Sequence, residues 1–350
     1  NAARANDVHT FSVGFPSTAY DEREYANAVA EHLGTDHHFR EVQPGDFEHL
    51  AQVVSAFEEP FADSSMLPTA LLARFTRQHV KVGLSGDGAD ELFGGYYRYR
   101  VMHLARLLAR CPRGLRRRIK GILLSLLPAA KDERSVTGRI RRLAEIADTD
   151  GLTQYLALIS RFPDSIRQEI YGEAMQGAGV KAEGERVLSR FRRDHAEIAD
   201  SIMEIDLSTY LNNDILVKVD RASMRHGLEV RSPFLDPAVA ELALSLPYSW
   251  KQKGRTRKRL VVDTFADMLP AGIARRPKMG FGVPVAEWLR GQWRAPVEAL
   301  IRDSVCAEQG LVKRDACERL LHRHVAGDGD WSYPLFALIV LELWMRGRGF

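Results

Sequence analysis

The sequence has 350 residues, of which 45% are hydrophobic and 27% are charged, as in an ordinary soluble protein. This length is enough for one large domain or two modest domains with a substantial core. The 49 basic and 46 acidic residues leave a net charge of +3, which is too small to argue by itself for a nucleic-acid partner.

The cysteines and the apolar runs indicate which cellular compartment to expect. The three cysteines, Cys111, Cys306 and Cys317, are odd in number and fit no metal-ligand spacing, so we expect a reducing compartment, the cytoplasm. No apolar run reaches the length of a membrane span, and we expect no membrane partner. The sequence starts with Asn1, without a signal-peptide apolar region, and we expect a fragment of a longer chain.

Strands and helices alternate through the first hundred residues. The apolar patterns predict strands at His9–Phe15, His38–Val42 and Val80–Leu84, and helices at Asp21–Leu33, 46–57 and 66–79. Such alternation is typical of βαβ units, and it predicts an α/β fold with a parallel sheet and right-handed crossovers. Beyond this region the pattern is almost entirely helical, so we place a domain boundary near residue 100.

The segment from Arg98 to Arg142 contains fourteen basic residues and two acidic ones. A basic patch of this kind can bind nucleic acid or an acidic partner. It lacks the interleaved aromatic residues of a single-strand binding surface, and its leucines recur at helical spacing. We therefore interpret it as the solvated face of a helix and do not expect a nucleic-acid partner.

The stretch from Val80 to Tyr97, VKVGLSGDGADELFGGYY, predicts a strand, a glycine-rich loop and the start of a helix. Glycines after a strand let backbone N–H groups approach a phosphate closely. Three carboxylates follow, on Asp87, Asp90 and Glu91, and they would repel a bare polyphosphate. The combination predicts a bridging divalent cation, Mg²⁺, and chemistry on ATP. The structural alternative is a strand-to-helix turn whose acids cap the helix.

Three other segments carry charges in unusual places. Asp63, in EEPFADSSMLPT, could simply cap the helix that follows. Asp220 and Arg221 are charges in an otherwise apolar helix, and because adjacent helical residues point apart, we expect each to have its own partner. The loop RRPKMGFGVP, which contains Lys278, has the composition of a mobile lid that brings cations to phosphates, although many loops are basic only for solubility.

The runs SGDGADELFGGY and DILVKVDRASM, followed by GLEVRSPFLD, resemble the synthetase domain of glutamine-dependent asparagine synthetases. The resemblance covers nearly the whole chain. It implies a Rossmann-like parallel sheet of the PP-loop (adenine nucleotide alpha hydrolase) type in residues 1–100, which would bind the nucleotide. The mostly helical residues 101–350 would complete the active site.

The resemblance also implies a reaction and its residues. ATP would adenylate the side-chain carboxylate of aspartate, giving β-aspartyl-AMP, and ammonia would then displace AMP to form asparagine. By position, the resemblance implies catalytic roles for Asp87 and Lys278, nucleotide binding by Val13, Ser85 and Gly86, Mg²⁺ binding by Asp90, and substrate binding by Asp63, Glu91, Asp220 and Arg221.

Two family features are absent from these 350 residues. Family members have an SGGxDS pyrophosphate loop just before the equivalent of His9, and an N-terminal glutaminase domain that releases ammonia from glutamine. We therefore expect little or no synthetase activity from this chain alone. A homodimer is compatible with the resemblance. The alternatives are a relative that adenylates another acid, such as a β-lactam synthetase, and a non-catalytic basic module that keeps the fold.

Overall fold

The computed structural model of the chain describes residues 8–16, 21–43, 47–127, 136–149, 151–177, 179–193, 198–254, 256–270, 272–273 and 281–350. Its Cα positions cluster into two compact units, each formed from separate ranges of the chain. Over the described residues, unit 1 comprises Asn1–Glu58, Asp63–Gly95 and Tyr210–Pro284, and unit 2 comprises Glu59–Ala62, Tyr96–Thr209 and Val285–Phe350.

Short strands and many helices make up the chain. The first part contains β1 (His9–Gly14), α1 (Arg23–Leu33), β2 (Asp36–Glu41), α2 (Phe47–Val54), α3 (Met66–Thr76), β3 (Val82–Leu84), α4 (Ala89–Phe93), α5 (Tyr97–Leu108), α6 (Arg113–Leu126), α7 (Val136–Glu145), α8 (Gly151–Ile159), α9 (Asp164–Ile170), α10 (Val180–Phe191) and α11 (Ile198–Asp206). A π-helical stretch, Leu207–Ile215, follows.

The second part contains α12 (Leu216–Met224), β4 (Glu229–Arg231), α13 (Pro237–Ser245), α14 (Tyr248–Lys251), α15 (Arg259–Thr264), α16 (Val285–Arg290), α17 (Arg294–Arg302), α18 (Val305–Glu308), α19 (Arg314–Val325) and α20 (Ser332–Gly347). Single 3-10 turns lie at Glu173–Met175, Pro233–Leu235 and Ala266–Met268. The predicted α/β class, with a mostly helical later part, is confirmed. The predicted domain ranges 1–100 and 101–350 stay predictions.

The strands of unit 1 pair in parallel. β1 pairs with β2, so that His9 lies opposite Asp36 and Gly14 opposite Glu41. β3 pairs with β4, and Leu84 lies opposite Arg231. Among the described residues these are two separate two-stranded ladders. Parallel neighbours need a crossover connection, and the helix between β1 and β2 is the predicted one, with Gly34 as its left-handed C-cap.

Helix α3 lies at the centre of unit 1. Seven of its eleven residues are buried, and it contacts β1, α2 and α12. A helix that is apolar on most of its circumference has to be covered on several sides, and these three elements supply that cover. Because α12 contacts both α3 and β4, the position of the second strand pair follows from the packing around α3.

Unit 2 contains buried polar side chains with structural roles. Asp206, 1% exposed, accepts hydrogen bonds from the Arg98 guanidinium and from the Tyr155 hydroxyl. Glu342 of α20 accepts from Ser304 Oγ at 2.8 Å and from two backbone N–H groups at the start of α18. Burial opposes ionisation of Glu342, but the hydrogen bond from the Arg346 guanidinium, together with those from the two N–H groups and Ser304, outweighs it and lowers the pKa of Glu342. The carboxylate of Glu342, in the otherwise apolar α20, therefore caps the start of α18.

Part of the basic segment is used inside unit 2. Arg116 is 5% exposed and donates to backbone carbonyls, including that of Ala147 at 3.0 Å. Lys120 lies 2.7 Å from Asp148 Oδ1. The arginine-rich segment is thus partly a set of structural contacts as well as a solvated face. No helix in the described ranges combines the length and the apolar character that crossing a bilayer requires.

Candidate functional site

The glycine-rich loop continues directly from the β3–β4 ladder. The backbone N–H of Ser85 donates to the carbonyl of Arg231 at 2.9 Å, which extends the pairing by one residue. The Ser85 hydroxyl donates to Asp87 Oδ2 at 2.7 Å and lies 3.0 Å from the hydroxyl of Ser232. Two hydroxyls and a carboxylate therefore meet at the carboxyl end of a parallel strand, where ligands of α/β sheets bind.

Gly88 makes the turn from this loop into α4 possible. Its φ is +85°, a conformation that residues with a Cβ rarely adopt. A Cβ at this position would also lie 2.2 Å from a methyl carbon of Leu235. The glycine thus allows the chain to reverse closely over the turn that follows β4.

Asp90 is positioned by a second close approach. A Cβ on Gly95 would lie 1.6 Å from Asp90 Oδ1, so the carboxylate occupies space that only a glycine leaves open. The same oxygen lies 3.3 Å from Nζ of Lys258. Lys258 has a φ of +49°, the only positive value at a non-glycine residue in the described chain. Such strain is often found at functional sites.

The donor set of this loop fits Mg²⁺. Carboxylate and hydroxyl oxygens are the ligands that this ion prefers, and Asp87, Asp90 and Ser85 supply them within six residues. Asp90 already faces one cation, Lys258, in the chain itself. A metal at Asp90 would therefore compete with this lysine for the carboxylate.

The remaining residues predicted around the nucleotide differ in exposure. Gly86 is exposed, and no atom lies within 4 Å of a Cβ placed on it. Glu91, on α4, is only 1% exposed, and Val13, near the end of β1, is 9% exposed. Lys278 lies outside the described residues. These four assignments stay predictions.

A buried lysine between two carboxylates forms a second cluster in unit 1. Lys218 is 7% exposed, and its Nζ lies 2.5 Å from Asp63 Oδ2 and 3.5 Å from Asp214 Oδ1. Asp63 also accepts hydrogen bonds from the backbone and hydroxyl of Ser65, just before α3. Asp63 thus makes both the local turn contact and a contact to α12.

The pKa values of the cluster are mutually dependent. Burial, followed by the charge of Asp63, raises the pKa of Asp214 to about 7. Burial also opposes ionisation of Asp63, but Lys218 and the Ser65 hydrogen bonds outweigh it, and the pKa of Asp63 is lowered. The two carboxylates together raise the pKa of Lys218 despite its burial. Side chains with a pKa shifted toward neutral pH, such as Asp214, are common at functional sites.

Asp220 and Arg221 correct one expectation. Arg221 contacts Asp220 at 3.1 Å, although neighbouring helical residues were expected not to pair, and it contacts Glu58 at 3.0 Å. The long arginine side chain reaches back to its neighbour because both are exposed, 42% and 58%. No described contact joins this pair to the Lys218 cluster, and their substrate-binding roles stay predictions.

Sequence reasoning missed Lys218, Asp214 as its partner, Ser232 and Lys258. The spacing of four between Asp214 and Lys218 was a usable signal, because residues at that spacing face each other on a helix. Asp214 lies inside the π-helical stretch, which continues directly into α12, so the spacing of four is preserved in the structure. The approach of Lys258 to Asp90 has no local signal, since the two residues are far apart in the sequence.

We expect Lys218→Met to destabilise the protein by about 3 kcal/mol, because it leaves two partly buried carboxylates without their shared, buried cation. Arg221→Met on the same helix is the matched control and should cost less than about 1 kcal/mol, since its ion pairs are exposed. Urea denaturation measures both. Equal losses in the two variants would contradict the buried ion-pair interpretation.

Asp214 makes stability pH-dependent. Its pKa is raised from 3.8 to about 7, so the folded chain retains a proton that the unfolded chain releases. The stabilisation is complete below the unfolded value and is lost as the pH rises through the folded value. Asp214→Asn stays neutral, so its stability relative to wild type should rise by about 2–3 kcal/mol between pH 5 and pH 8.

The check is denaturation over this pH range with Asp220→Asn as control, an exposed acid on the same helix. A parallel pH profile for Asp214→Asn and wild type would show that the proton is held elsewhere.

Known proteins are similar to this chain over nearly its whole length. Residues 1–346 match the family described as asparagine synthase. A Mycobacterium tuberculosis protein named "Putative asparagine synthetase (glutamine-hydrolyzing)" is 33% identical over 96% of this chain and 50% of its own length. Asparagine synthetase (glutamine-hydrolyzing) 1 of Bacillus subtilis is 28% identical over 96% of this chain and 52% of its own length.

The chain thus spans about half the length of the curated relatives it matches. The match runs through the glycine-rich loop and the Lys218 helix alike, because it covers all but the last four residues. Because the family match covers nearly all of the chain and a relative is 33% identical over 96% of it, the chain belongs to the asparagine synthase family.

Proposed function

We propose that this chain carries the ATP-dependent step of asparagine formation. Family membership supports amide synthesis driven by ATP. The observation that carries the proposal is the loop after β3, where Ser85, Asp87 and Asp90 present oxygen ligands beside open backbone at Gly86. This is a suitable cradle for a polyphosphate and its cation.

The chemistry requires an activated acid, because a carboxylate oxygen is a poor leaving group. An oxygen of the aspartate side chain would attack the α-phosphorus of ATP and expel pyrophosphate. Ammonia would then attack the carbonyl carbon of β-aspartyl-AMP, lose a proton and expel AMP. The protein has to hold the phosphates, offset the charge that develops on them and orient the nucleophile.

Each task has a candidate residue. The hydroxyl of Ser85 and the N–H of Gly86 would hold the phosphates, and Val13 would pack near the adenine. Lys278 would offset charge at the α-phosphate. Asp87 holds its carboxylate toward Ser85 Oγ and would orient ammonia or accept its proton.

Mg²⁺ would be held at Asp90, where it would offset the negative charge of the phosphates. Lys258 would then be released from Asp90 and become available to the same phosphates. Gly95 serves this site by leaving room for the Asp90 carboxylate.

The substrate contacts are proposed for the carboxylate-rich parts of unit 1. Asp63 would contribute by holding Lys218, and the ammonium group of Lys218 would also pair with the carboxylate of an acidic substrate. Asp220 and Arg221 offer exposed charges on the same helix. Glu91 is buried, so we propose that it positions the glycine-rich loop from its buried side.

The ammonia source and the location belong to the whole protein. The names of the relatives specify glutamine hydrolysis, and we propose that ammonia reaches this chain from glutamine through a glutaminase domain. We also propose a cytoplasmic location. A homodimer is compatible with these assignments.

Gly86→Ala separates phosphate binding from folding. A methyl group at Gly86 meets no atom within 4 Å, so the melting temperature should not change. It would obstruct a phosphate held by the backbone N–H, and we expect ATP to bind roughly tenfold more weakly. Gly83→Ala in β3, equally open, is the control. Thermal denaturation measures the melting temperatures of the two variants, and calorimetric titration with Mg-ATP measures their ATP affinities. Unchanged ATP affinity in Gly86→Ala would count against phosphate binding by this loop.

The test of the reaction is aspartate-dependent exchange of pyrophosphate into ATP, with the whole encoded protein that contains this chain. We expect exchange in wild type and a loss of about a hundredfold in Asp87→Asn and Lys278→Ala. Lys313→Ala, an exposed lysine on unit 2, should keep full activity. Exchange driven by another acid, but not by aspartate, would indicate a relative with a different substrate. No exchange with any acid, while ATP still binds, would refute the ligase proposal.

A further inference from the structure

The amino ends of β1 and β2 bring together three side chains that the proposed reaction does not use. His9 Nδ1 lies 3.0 Å from His38 Nε2 and 3.0 Å from Asp36 Oδ2. His38 Nε2 lies 3.2 Å from the same carboxylate oxygen. Two imidazole nitrogens and one carboxylate oxygen therefore form a nearly equilateral triangle.

The parallel register produces this triangle. His9 lies opposite Asp36, and His38 is two residues further along β2, so that it faces the same side of the ladder as Asp36. His37 faces the other way and is held by the hydroxyls of Thr10 and Ser12, at 2.9 and 3.0 Å. The alternation of the strand thus selects one histidine of the adjacent pair for the cluster.

Aromatic packing holds the His38 ring in place. Phe11 stacks on it with ring centroids 5.0 Å apart and an interplanar angle of 15°. The His79 ring lies 4.2 Å away, centroid to centroid. Side chains fixed by their surroundings lose less entropy when they bind a ligand, so the cluster is preorganised.

The separations and the donor types match a metal site. Zinc binds histidine nitrogens and carboxylate oxygens at about 2.0–2.1 Å, which places neighbouring ligands of a tetrahedral site about 3.3 Å apart. The same separations allow hydrogen bonds that keep the cluster assembled without a metal. The side chains of His9, Asp36 and His38 are 40%, 52% and 21% exposed, respectively, so an ion can reach them from solvent.

We propose that His9, Asp36 and His38 form a binding site for one divalent transition-metal ion of the zinc type. Three protein ligands leave a fourth position for water or an exogenous ligand. The site lies at the amino ends of β1 and β2, whereas the glycine-rich loop follows the carboxyl end of β3. Its chemistry also differs, since imidazole ligands favour zinc, copper or nickel over Mg²⁺.

The experiment titrates the tag-free chain, first freed of metal by chelation, with zinc chloride by calorimetry. Cobalt(II) serves as a spectroscopic probe, because tetrahedral coordination gives a characteristic visible absorption. His9→Gln and Asp36→Asn each remove a ligand from an exposed side chain with little change in volume. His322→Ala, an exposed histidine of unit 2, is the matched control, and circular dichroism verifies the fold of each variant.

We expect one zinc ion to bind wild type and His322→Ala with equal affinity. Each ligand variant should bind at least tenfold more weakly and lose the cobalt absorption. Absence of stoichiometric binding to wild type would overturn the proposal, as would unchanged affinity in both ligand variants. Equal weakening in His322→Ala would show nonspecific binding and would overturn it as well. The measurement involves no ATP, so its outcome is independent of the ligase proposal.

Discussion

The parallel pairing of β3 with β4 is the constraint on which the candidate site depends. It joins segments 147 residues apart, and the Ser85 N–H extends it into the glycine-rich loop. The turn after β4 supplies Ser232 to the same loop and Leu235 to the close approach at Gly88. Helix α12, which immediately precedes β4, is positioned by the same pairing. One short ladder therefore orients both the loop and the helix that carries Lys218.

Paired charges are the second organising feature of unit 1. Lys218 compensates Asp63 and Asp214, and Lys258 faces Asp90. The first lysine is buried and holds the segment before α3 to α12, which makes its removal costly. The second is about one-third exposed and lies on strained backbone, so it can exchange partners more easily. The same type of ion pair thus has a structural role in one place and an adaptable role in the other.

The strand ends differ in chemistry for a geometric reason. In a parallel arrangement all carboxyl ends lie at one edge and all amino ends at the other. The loop after β3 collects hydroxyls and carboxylates, which suit a polyphosphate with Mg²⁺. The start of the β1–β2 ladder collects two imidazoles and a carboxylate, which suit zinc. The two candidate sites therefore lie at different ends of their own strand pairs and share no residues.

The sequence by itself determined the α/β class, the positions of the early strands and helices, and the family, because hydrophobic periodicity, turn glycines and the SGDGADELFGGY run are local patterns. The glycine-rich loop was recognisable for the same reason. Only the tertiary structure decided that Lys218 lies between Asp63 and Asp214, that Lys258 faces Asp90, and that His9 meets Asp36 and His38. These contacts join residues distant in the chain, and strand register and helix packing, which no local pattern encodes, bring them together.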